Sequence, residues 1–184
     1  MRRVAVALVH HPILDRAKGI VTTAVTNLDI HDIARSAHTY GLSDYFVVHP
    51  VAAQRELVER VRAHWTEGSG ARRIPDRSPA LSAVRVVDDL DAVERELGAP
   101  EVWVTSAQDQ GKILGFSDAR ARLAQAGPPV LIVLGTGWGL ASSVHERASY
   151  QLAPIRSPRA DGYNHLSVRA AAAIMFDRLL GTSD

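Results

Sequence analysis

The residues best suited to binding chemistry form a glycine-rich loop in the C-terminal half of the sequence. The apolar run 130–134 leads directly into Gly135, Gly137 and Gly139, and Trp138 stands between the last two glycines. Glycine lets a backbone approach a bound group closely and adopt left-handed conformations. A tryptophan at a loop tip favours contact with a ligand or partner. The loop therefore suits a nucleotide phosphate, an adenosine or a tight turn.

The spacing of these glycines argues against a common dinucleotide site. They form G-x-G-x-G, whereas the dinucleotide fingerprint reads G-x-G-x-x-G and opens the first βαβ unit. This loop instead follows the fifth predicted strand. A dinucleotide-binding oxidoreductase stays an alternative, and a different nucleotide-like ligand is favoured.

Histidine and carboxylate residues are the next candidates for chemistry, because metal hydrolases use both. His10 and His11 are adjacent, and Asp29, His31 and Asp32 lie close together in the sequence. No H-x-x-x-H pair or second carboxylate cluster completes a coordination shell, so no metal site is predicted. No G-x-S-x-G motif is present either, which argues against a serine hydrolase of that type.

Alternating strands and helices must position these residues. Short apolar runs predict strands over residues 4–9, 45–49, 84–87, 102–105, 130–134 and 150–152. Helices are predicted at about residues 28–40, 51–64, 90–97, 118–125 and 166–180. This alternation is typical of an α/β fold with a mostly parallel sheet and helices on both faces. Residues 66–80, rich in Gly, Ser, Pro and Arg, predict a surface loop.

The first and last helices carry the clearest signals. Thr26 and Asp29 have the spacing of a capping box, and Gly41 is placed to end the helix in a left-handed conformation. His31, Arg35 and His38 share one face; the buried face that precedes Gly41 is formed by Ile30, Ile33, Ala34 and Ala37. The last helix is apolar nearly all round, which predicts a subunit interface.

Composition bounds the class of protein. The sequence has 184 residues, 46% hydrophobic and 22% charged, with net charge +1, and indicates one globular domain over residues 1–184. It contains no cysteine, which is consistent with a cytoplasmic protein. The N-terminal apolar run is too short for a signal peptide and predicts the first strand. No segment approaches the length of a transmembrane helix.

Three segments, taken in order, resemble the motifs of the SPOUT RNA methyltransferases. They read "TNLDIHDIARSAHTYGLSDYFVV", "VLGTGWGL" and "LAPIRSPRADGYNHLSVRAAAAI". The resemblance covers nearly the whole chain. It is strongest to the small stand-alone branch that also occurs fused to a tRNA guanine methyltransferase.

This resemblance implies a deep C-terminal trefoil knot, a homodimer and S-adenosylmethionine bound among three loops. Unaided sequence rules would not propose a knot, because knots are nearly absent from proteins. The first two loops would supply Thr105, Ser106, Leu134, Gly135, Thr136, Gly137, Gly139 and Leu140. The third would supply Ile155, Leu166 and Ser167. Adenine recognition would come mainly from backbone groups.

The resemblance also implies the catalytic candidates Arg35, Asp29, His165 and Asn164. Arg35 falls on an arginine of the family motif, and Asp29 stands where asparagine is more usual. We expect Arg35 to grip a target phosphate. The alternative is a surface arginine that pairs with Asp32 or Asp29 along the helix.

The implied function is S-adenosylmethionine-dependent methylation of RNA, with tRNA as the expected class and a ribose 2′-hydroxyl or a base as the target. A non-catalytic dimer that binds S-adenosylmethionine or RNA is the second alternative, beside the oxidoreductase. No membrane partner is expected.

Overall fold

A computed structural model describes residues 1–182 of the chain. Residues 183 and 184, which belong to the predicted domain, lie outside the described residues. The strands are β1 Val4–Val9, β2 Ile13–Leu14, β3 Ile20–Val21, β4 Asp44–Val48, β5 Val84–Val87, β6 Glu101–Val104, β7 Ile113–Leu114, β8 Val130–Gly135 and β9 Tyr150–Leu152. The helices are α1 Asn27–Thr39, α2 Ala52–Thr66, α3 Ser69–Arg73, α4 Ser78–Ser82, α5 Leu90–Leu97, α6 Phe116–Ala124, α7 Ser142–His145 and α8 Val168–Leu180.

Seven of the strands among residues 1–182 form one parallel sheet in the order β5-β4-β1-β8-β6-β9-β7. The short strands β2 and β3 pair antiparallel as a separate hairpin between β1 and α1. Because parallel strands all end at the same edge, the loops after β1, β6 and β8 emerge together. The predicted mostly parallel α/β fold is confirmed, whereas β2, β3 and β7 were not predicted.

Helices cover both faces of the sheet, as predicted. Successive β1 residues point to opposite sides, so that Leu8 belongs to one buried cluster and Val9 to another. The first cluster includes residues of α1, α2, α4, α6 and α8. The second includes residues of α5 and α7. The two layers bury the strands on both sides, which explains their continuous apolar sequences.

Local sequence explains α1 well. Thr26 is the N-cap, and its Oγ1 accepts a hydrogen bond from the backbone N–H of Asp29 at 3.2 Å. The predicted inward face is buried, with Ile30 and Ile33 fully enclosed. Gly41 follows the helix with φ +74°, the left-handed conformation that the sequence predicts.

The prediction of a surface loop at residues 66–80 is wrong. The segment holds α3, a 3-10 helix at Pro75–Arg77 and α4. A proline stands in the first turn of the 3-10 helix and of α4, where its missing N–H costs little. Leu81 is fully buried, and α4 packs against α1 and α2. Five-residue helices are too short to show a sequence period, so the high content of Gly, Ser, Pro and Arg wrongly indicated a loop.

The last helix, α8, packs on α1 and α6. Its N-cap is Ser167, whose Oγ accepts a hydrogen bond from the backbone N–H of Ala170 at 3.2 Å. Ala172, Met175, Phe176 and Leu179 form its buried face. Among the described residues, no helix has both the length and the apolar character needed to cross a membrane.

Candidate active site at the carboxyl edge of the sheet

The first two predicted cofactor loops emerge side by side. Strands β6 and β8 are neighbours, with Trp103 opposite Ile132. Thr105, just after β6, donates to the carbonyl of Val133 from its backbone N–H at 3.1 Å and from its hydroxyl at 3.0 Å. The loop after β6 is therefore held against the strand that leads into the glycine loop.

The third loop, residues 155–167, is tied to the first. Arg156 forms an ion pair with Asp109 at 2.5 Å. Gln151 in β9, the strand that leads into the third loop, donates to the carbonyl of Gln108 at 2.7 Å and accepts from the N–H of Gln110 at 3.0 Å. The three loops thus converge at one edge of the sheet, as the family motifs imply.

The three glycines of the second loop have different surroundings. A side chain at Gly137, where φ is +56°, would lie 3.0 Å from Ile13 Cγ2, against the β2–β3 hairpin. One at Gly135 would lie 2.9 Å from the side chain of Leu140. Gly139 has φ +107°, and a side chain there would meet nothing within 4 Å. Of the three, Gly139 is therefore the glycine that leaves open space beside the loop.

Side-chain exposure shows which residues of these loops can contact a ligand with their side chains and which can do so only with their main chain. Leu134 and Leu140 are buried in the core, so only their main-chain groups are available to a ligand. Trp138 is 61% exposed and Leu166 43% exposed. Large apolar side chains at loop tips supply contact area for flat ligands. The edge therefore offers main-chain polar groups together with exposed apolar surface.

A hydroxyl chain behind the glycine loop was not found from the sequence. Thr136 Oγ1 donates to the carbonyl of Val9 at 3.3 Å, which leaves the Thr23 hydroxyl to donate to Thr136 at 2.5 Å. His10 Nδ1 then donates to Thr23 Oγ1 at 3.0 Å. These hydrogen bonds hold the Thr136 side chain in place on the side away from solvent. The only sequence signal for them was the adjacent pair His10 and His11.

His10 is a fully buried neutral imidazole. Burial, and next the neighbouring His49 ring at 5.4 Å, lower the pKa of His10 to about 4. Its Nε2 has no hydrogen-bond partner among the described residues. An unpaired buried acceptor costs stability, about 1–3 kcal/mol, and calls for a structural or functional reason.

Asp29 is buried and engaged through both carboxylate oxygens. Thr26 Oγ1 donates to Oδ2 at 2.6 Å, and Arg169 Nη1 donates to Oδ1 at 3.0 Å. The hydroxyl of Tyr45 donates to the backbone carbonyl of Asp29 at 3.3 Å. This arrangement fixes the first turn of α1 to α8, through an arginine that the sequence analysis missed.

Arg35 is exposed on α1 and forms no hydrogen bond or ion pair with any residue between 1 and 182. The alternative in which it pairs with Asp29 or Asp32 is wrong, because Arg169 forms ion pairs with both carboxylates. Its Nη1 lies 3.0 Å from Asp29 Oδ1, and its Nε lies 3.3 Å from Asp32 Oδ2. The guanidinium of Arg35 is therefore available to a ligand.

The remaining catalytic candidates lie in the third loop. Asn164 Nδ2 donates to the carbonyl of Ile155 at 3.0 Å, which closes that loop on itself. His165 is exposed and stacks loosely on Tyr163, with ring centroids 6.5 Å apart. Within the described part of the chain, no hydrogen bond or ion pair joins these residues to Arg35. No group of three or more histidine or acidic residues there could hold a metal ion.

Comparison with known proteins decides the family. The sequence profile of a family described as SAM-dependent RNA methyltransferase matches residues 3–181. This chain belongs to that family. The membership predicted from the three motifs is confirmed, and the S-adenosylmethionine dependence is part of the family description.

Two curated relatives of this chain add further information. It is 48% identical over 185 residues to a tRNA (guanine-N(1)-)-methyltransferase of Nitratidesulfovibrio vulgaris, covering 98% of this chain and 42% of that protein. The chain thus spans less than half the length of this curated relative. An uncharacterized protein of Aquifex aeolicus is 36% identical over 181 residues, covering 96% of this chain and 87% of its own length.

A solved structure shows the same fold. The SpoU methyltransferase AviRb from Streptomyces viridochromogenes, crystallised with the cofactor AdoMet, superimposes with a TM-score of 0.59 at 14% identity. The alignment covers 97% of this chain and 57% of that chain. The predicted SPOUT fold is confirmed by this likeness, while the trefoil knot stays a prediction.

Proposed function

We propose that this protein transfers a methyl group from S-adenosylmethionine to RNA, and that its substrate is tRNA. The observation that carries the proposal is the convergence of three loops at the carboxyl edge of β6, β8 and β9, in a chain of the SAM-dependent RNA methyltransferase family. The tRNA class is supported by the Nitratidesulfovibrio vulgaris relative, which is named a tRNA methyltransferase.

The three loops fit the cofactor in chemical character. Gly139 leaves open space, and Leu134 and Leu140 offer only backbone groups. An adenosine can be recognised by main-chain donors and acceptors together with apolar surface. The residues proposed to hold it are Thr105, Ser106, Leu134, Gly135, Thr136, Gly137, Gly139, Leu140, Ile155, Leu166 and Ser167.

Alignment is the main demand of this reaction. When bound, S-adenosylmethionine supplies a methyl group on a positively charged sulfur that is already a good leaving group. The protein's own contribution is to hold the acceptor nucleotide in line with that group. Arg35 is proposed to do so by gripping an RNA phosphate, since its guanidinium offers forked donors and no described residue occupies them.

Asp29, Asn164 and His165 are proposed to support the reaction in different ways. Asp29 orders the start of α1 through its contacts with Thr26 and Arg169. Asn164 shapes the third loop through its hydrogen bond to the carbonyl of Ile155. His165 is exposed at that loop, where a neutral imidazole can accept a proton from the ribose hydroxyl or base that is methylated.

The homodimer, the knot and a cytoplasmic location belong to the same proposal. The side of α8 that does not face the core is available to a second subunit. In such a dimer, Arg35 would act at the cofactor bound by the partner subunit. The knot is proposed from the resemblance of the three motifs to the SPOUT methyltransferases.

Titration calorimetry with S-adenosylmethionine and, separately, with NAD tests the cofactor. We expect S-adenosylmethionine to bind and NAD to give no heat, and tight binding of NAD alone would establish the oxidoreductase instead. Incubation of unmodified tRNA transcripts with methyl-labelled cofactor tests the reaction. Cofactor binding without any incorporation would identify a binding module. Mass spectrometry of nucleosides from cells with and without the protein would then identify the methylated position.

A further inference from the structure

A second arginine, Arg77, lies near the face of α1 that carries Arg35. Arg77, in the 3-10 helix, forms no ion pair with any residue in the described range and stacks on Trp65 of α2, with Cζ 4.7 Å from the ring centroid. His31 of α1 contacts the edge of the same ring, with centroids 5.1 Å apart and planes at 87°. Arg35 stands one turn after His31 on the same face.

We call His31, Arg35, Trp65 and Arg77 the α1 basic surface. It gathers side chains from α1, α2 and the 3-10 helix. Arg77 stacks on the face of Trp65, His31 contacts the edge of the same ring, and Arg35 lies one turn after His31 on α1. The cations therefore belong to one patch of surface.

The acidic residues of α1 form their ion pairs with α8 and not with this patch. Burial lowers the pKa of His31, and the charge of Asp32 acts on that pKa in the opposite direction. Arg169 of α8 pairs with both Asp29 and Asp32, at 3.0 Å and 3.3 Å. Without that pairing, Asp32 would be three residues from Arg35 and able to form an ion pair along the helix. The fold thus directs the carboxylates toward α8 and leaves the guanidinium group of Arg35 without an ion-pair partner among residues 1–182.

The chemistry of this patch fits the backbone of a nucleic acid. A guanidinium stacked on tryptophan is held in one plane by the ring and keeps its N–H groups in the plane for hydrogen bonding. The stacked guanidinium of Arg77 and the exposed guanidinium of Arg35 suit two phosphate groups, which arginine binds with paired hydrogen bonds.

We propose that the α1 basic surface binds consecutive phosphates of the RNA substrate, with Arg77 as a second phosphate ligand beside Arg35. This rests on the proposed function, and it adds Trp65 and Arg77, which lie outside the three family motifs. RNA bound there would lie along the exposed side of α1.

The salt dependence of RNA binding tests the surface. Each phosphate contact that is lost lowers the slope of log K against log salt by about 0.9. Binding of unmodified tRNA transcripts is measured between about 50 and 200 mM salt for the wild type, Arg77→Ala and Arg77→Lys. We expect Arg77→Ala to lose about one unit of slope, and Arg77→Lys to retain most of it because the charge stays.

The matched control is Arg95→Ala, which removes the same charge. Arg95 is an exposed arginine in the last turn of α5, on the opposite face of the sheet. Thermal unfolding and S-adenosylmethionine binding of each variant establish that the fold is intact; if Arg77→Ala is unfolded, Arg77→Gln takes its place.

Two outcomes would count against the surface and they are distinguishable. If the wild type methylates RNA and Arg77→Ala has the slope of Arg95→Ala, the surface is overturned and the proposed function stands. If the wild type neither binds nor methylates RNA, both are overturned.

Discussion

Arg169 of α8 holds Asp29 and Asp32 of α1 at the same time, with nitrogen–oxygen distances of 3.0 Å and 3.3 Å. Asp29 is buried near the start of α1, and Arg169 follows the third cofactor loop by two residues. The pair therefore connects the loop proposed to hold the cofactor with the helix that carries Arg35.

Replacing Arg169 should affect both stability and RNA binding. Arg169→Ala leaves the buried Asp29 carboxylate without its cationic donor, which we expect to cost about 1.5–3 kcal/mol of unfolding free energy. Asp32 also becomes free to pair with Arg35, so RNA affinity should fall. Urea denaturation and filter binding of tRNA transcripts measure the two effects.

A second substitution separates these effects. In Arg169→Ala, adding Asp32→Asn should restore RNA affinity while leaving the lost stability in place, because a neutral amide does not compete for Arg35. Arg178→Ala, which removes the same charge from the same helix, is the control. Equal RNA affinity in Arg169→Ala and Arg178→Ala would contradict the explanation.

Removing Arg35 should strongly reduce methylation without affecting cofactor binding. Arg35→Ala loses a paired charged hydrogen bond to phosphate, about 1.5–3 kcal/mol, which is roughly a ten- to hundredfold loss in methylation efficiency. S-adenosylmethionine affinity, measured by calorimetry, should match that of the wild type. A large loss of cofactor binding in this variant would argue against the phosphate role.

The glycines of the second loop should respond differently to substitution. Gly137→Ala places a methyl group 3.0 Å from Ile13 Cγ2 and 3.3 Å from the carbonyl of Leu14, at φ +56°. The left-handed backbone alone costs a non-glycine residue about 1–2 kcal/mol, and crowding adds to it. Thermal unfolding should show a lower midpoint than for the wild type.

Gly139→Ala is the matched comparison for that variant. Its added methyl group meets nothing within 4 Å, although φ +107° is also unfavourable for alanine. We expect Gly139→Ala to weaken S-adenosylmethionine binding more than Gly137→Ala does, relative to its effect on stability. The reverse order would indicate that Gly137, and not Gly139, borders the cofactor.

His10 should make stability depend on pH. Its pKa is lowered to about 4 in the folded protein from the ordinary value of 6.5, chiefly by burial. The unfolded chain therefore binds the proton more tightly, and stability rises with pH through this window. The free energy of unfolding therefore has its full value with respect to His10 above pH 6.5, and it decreases as pH falls toward 4.

Urea unfolding at about pH 7 and about pH 5, on either side of the ordinary histidine pKa, measures this effect. His31, His49 and His145 have lowered pKa values as well, mainly because of burial, and contribute in the same direction. His10→Gln should reduce the difference between the two pH values, whereas His38→Gln, at an exposed position, should not. An unchanged difference in His10→Gln would show that the imidazole is not buried as a neutral group.

Continuous apolar runs located the main strands to within about one residue, because strands buried on both faces need apolar residues throughout. The predicted bounds of β1, β5 and α5 match the structure. The two-residue strands β2, β3 and β7 carry too little pattern to be recognised. The short helices of residues 66–80 are held by Leu81 and by packing on α1, which composition does not reveal.

The candidate site was predicted less completely, because its contacts join distant parts of the chain. The family motifs identified the three loops, and helix spacing placed Arg35 and His31 on one face. The pairing of Arg169 with Asp29 spans 140 residues, and the Thr23–Thr136 hydrogen bond spans 113. Neither partner is marked by its neighbours in sequence, so only the folded chain reveals these contacts.

The central position of β8 has a consequence for ligand binding. This strand is the link between β1 and β6, yet it is among the last strands in the chain. Without β8, strands β5, β4 and β1 on one side and β6, β9 and β7 on the other would share no hydrogen-bonded ladder in the described sheet. The glycine loop at the end of β8 therefore depends on both halves of the sheet, so a substitution that loosens either half should also weaken ligand binding.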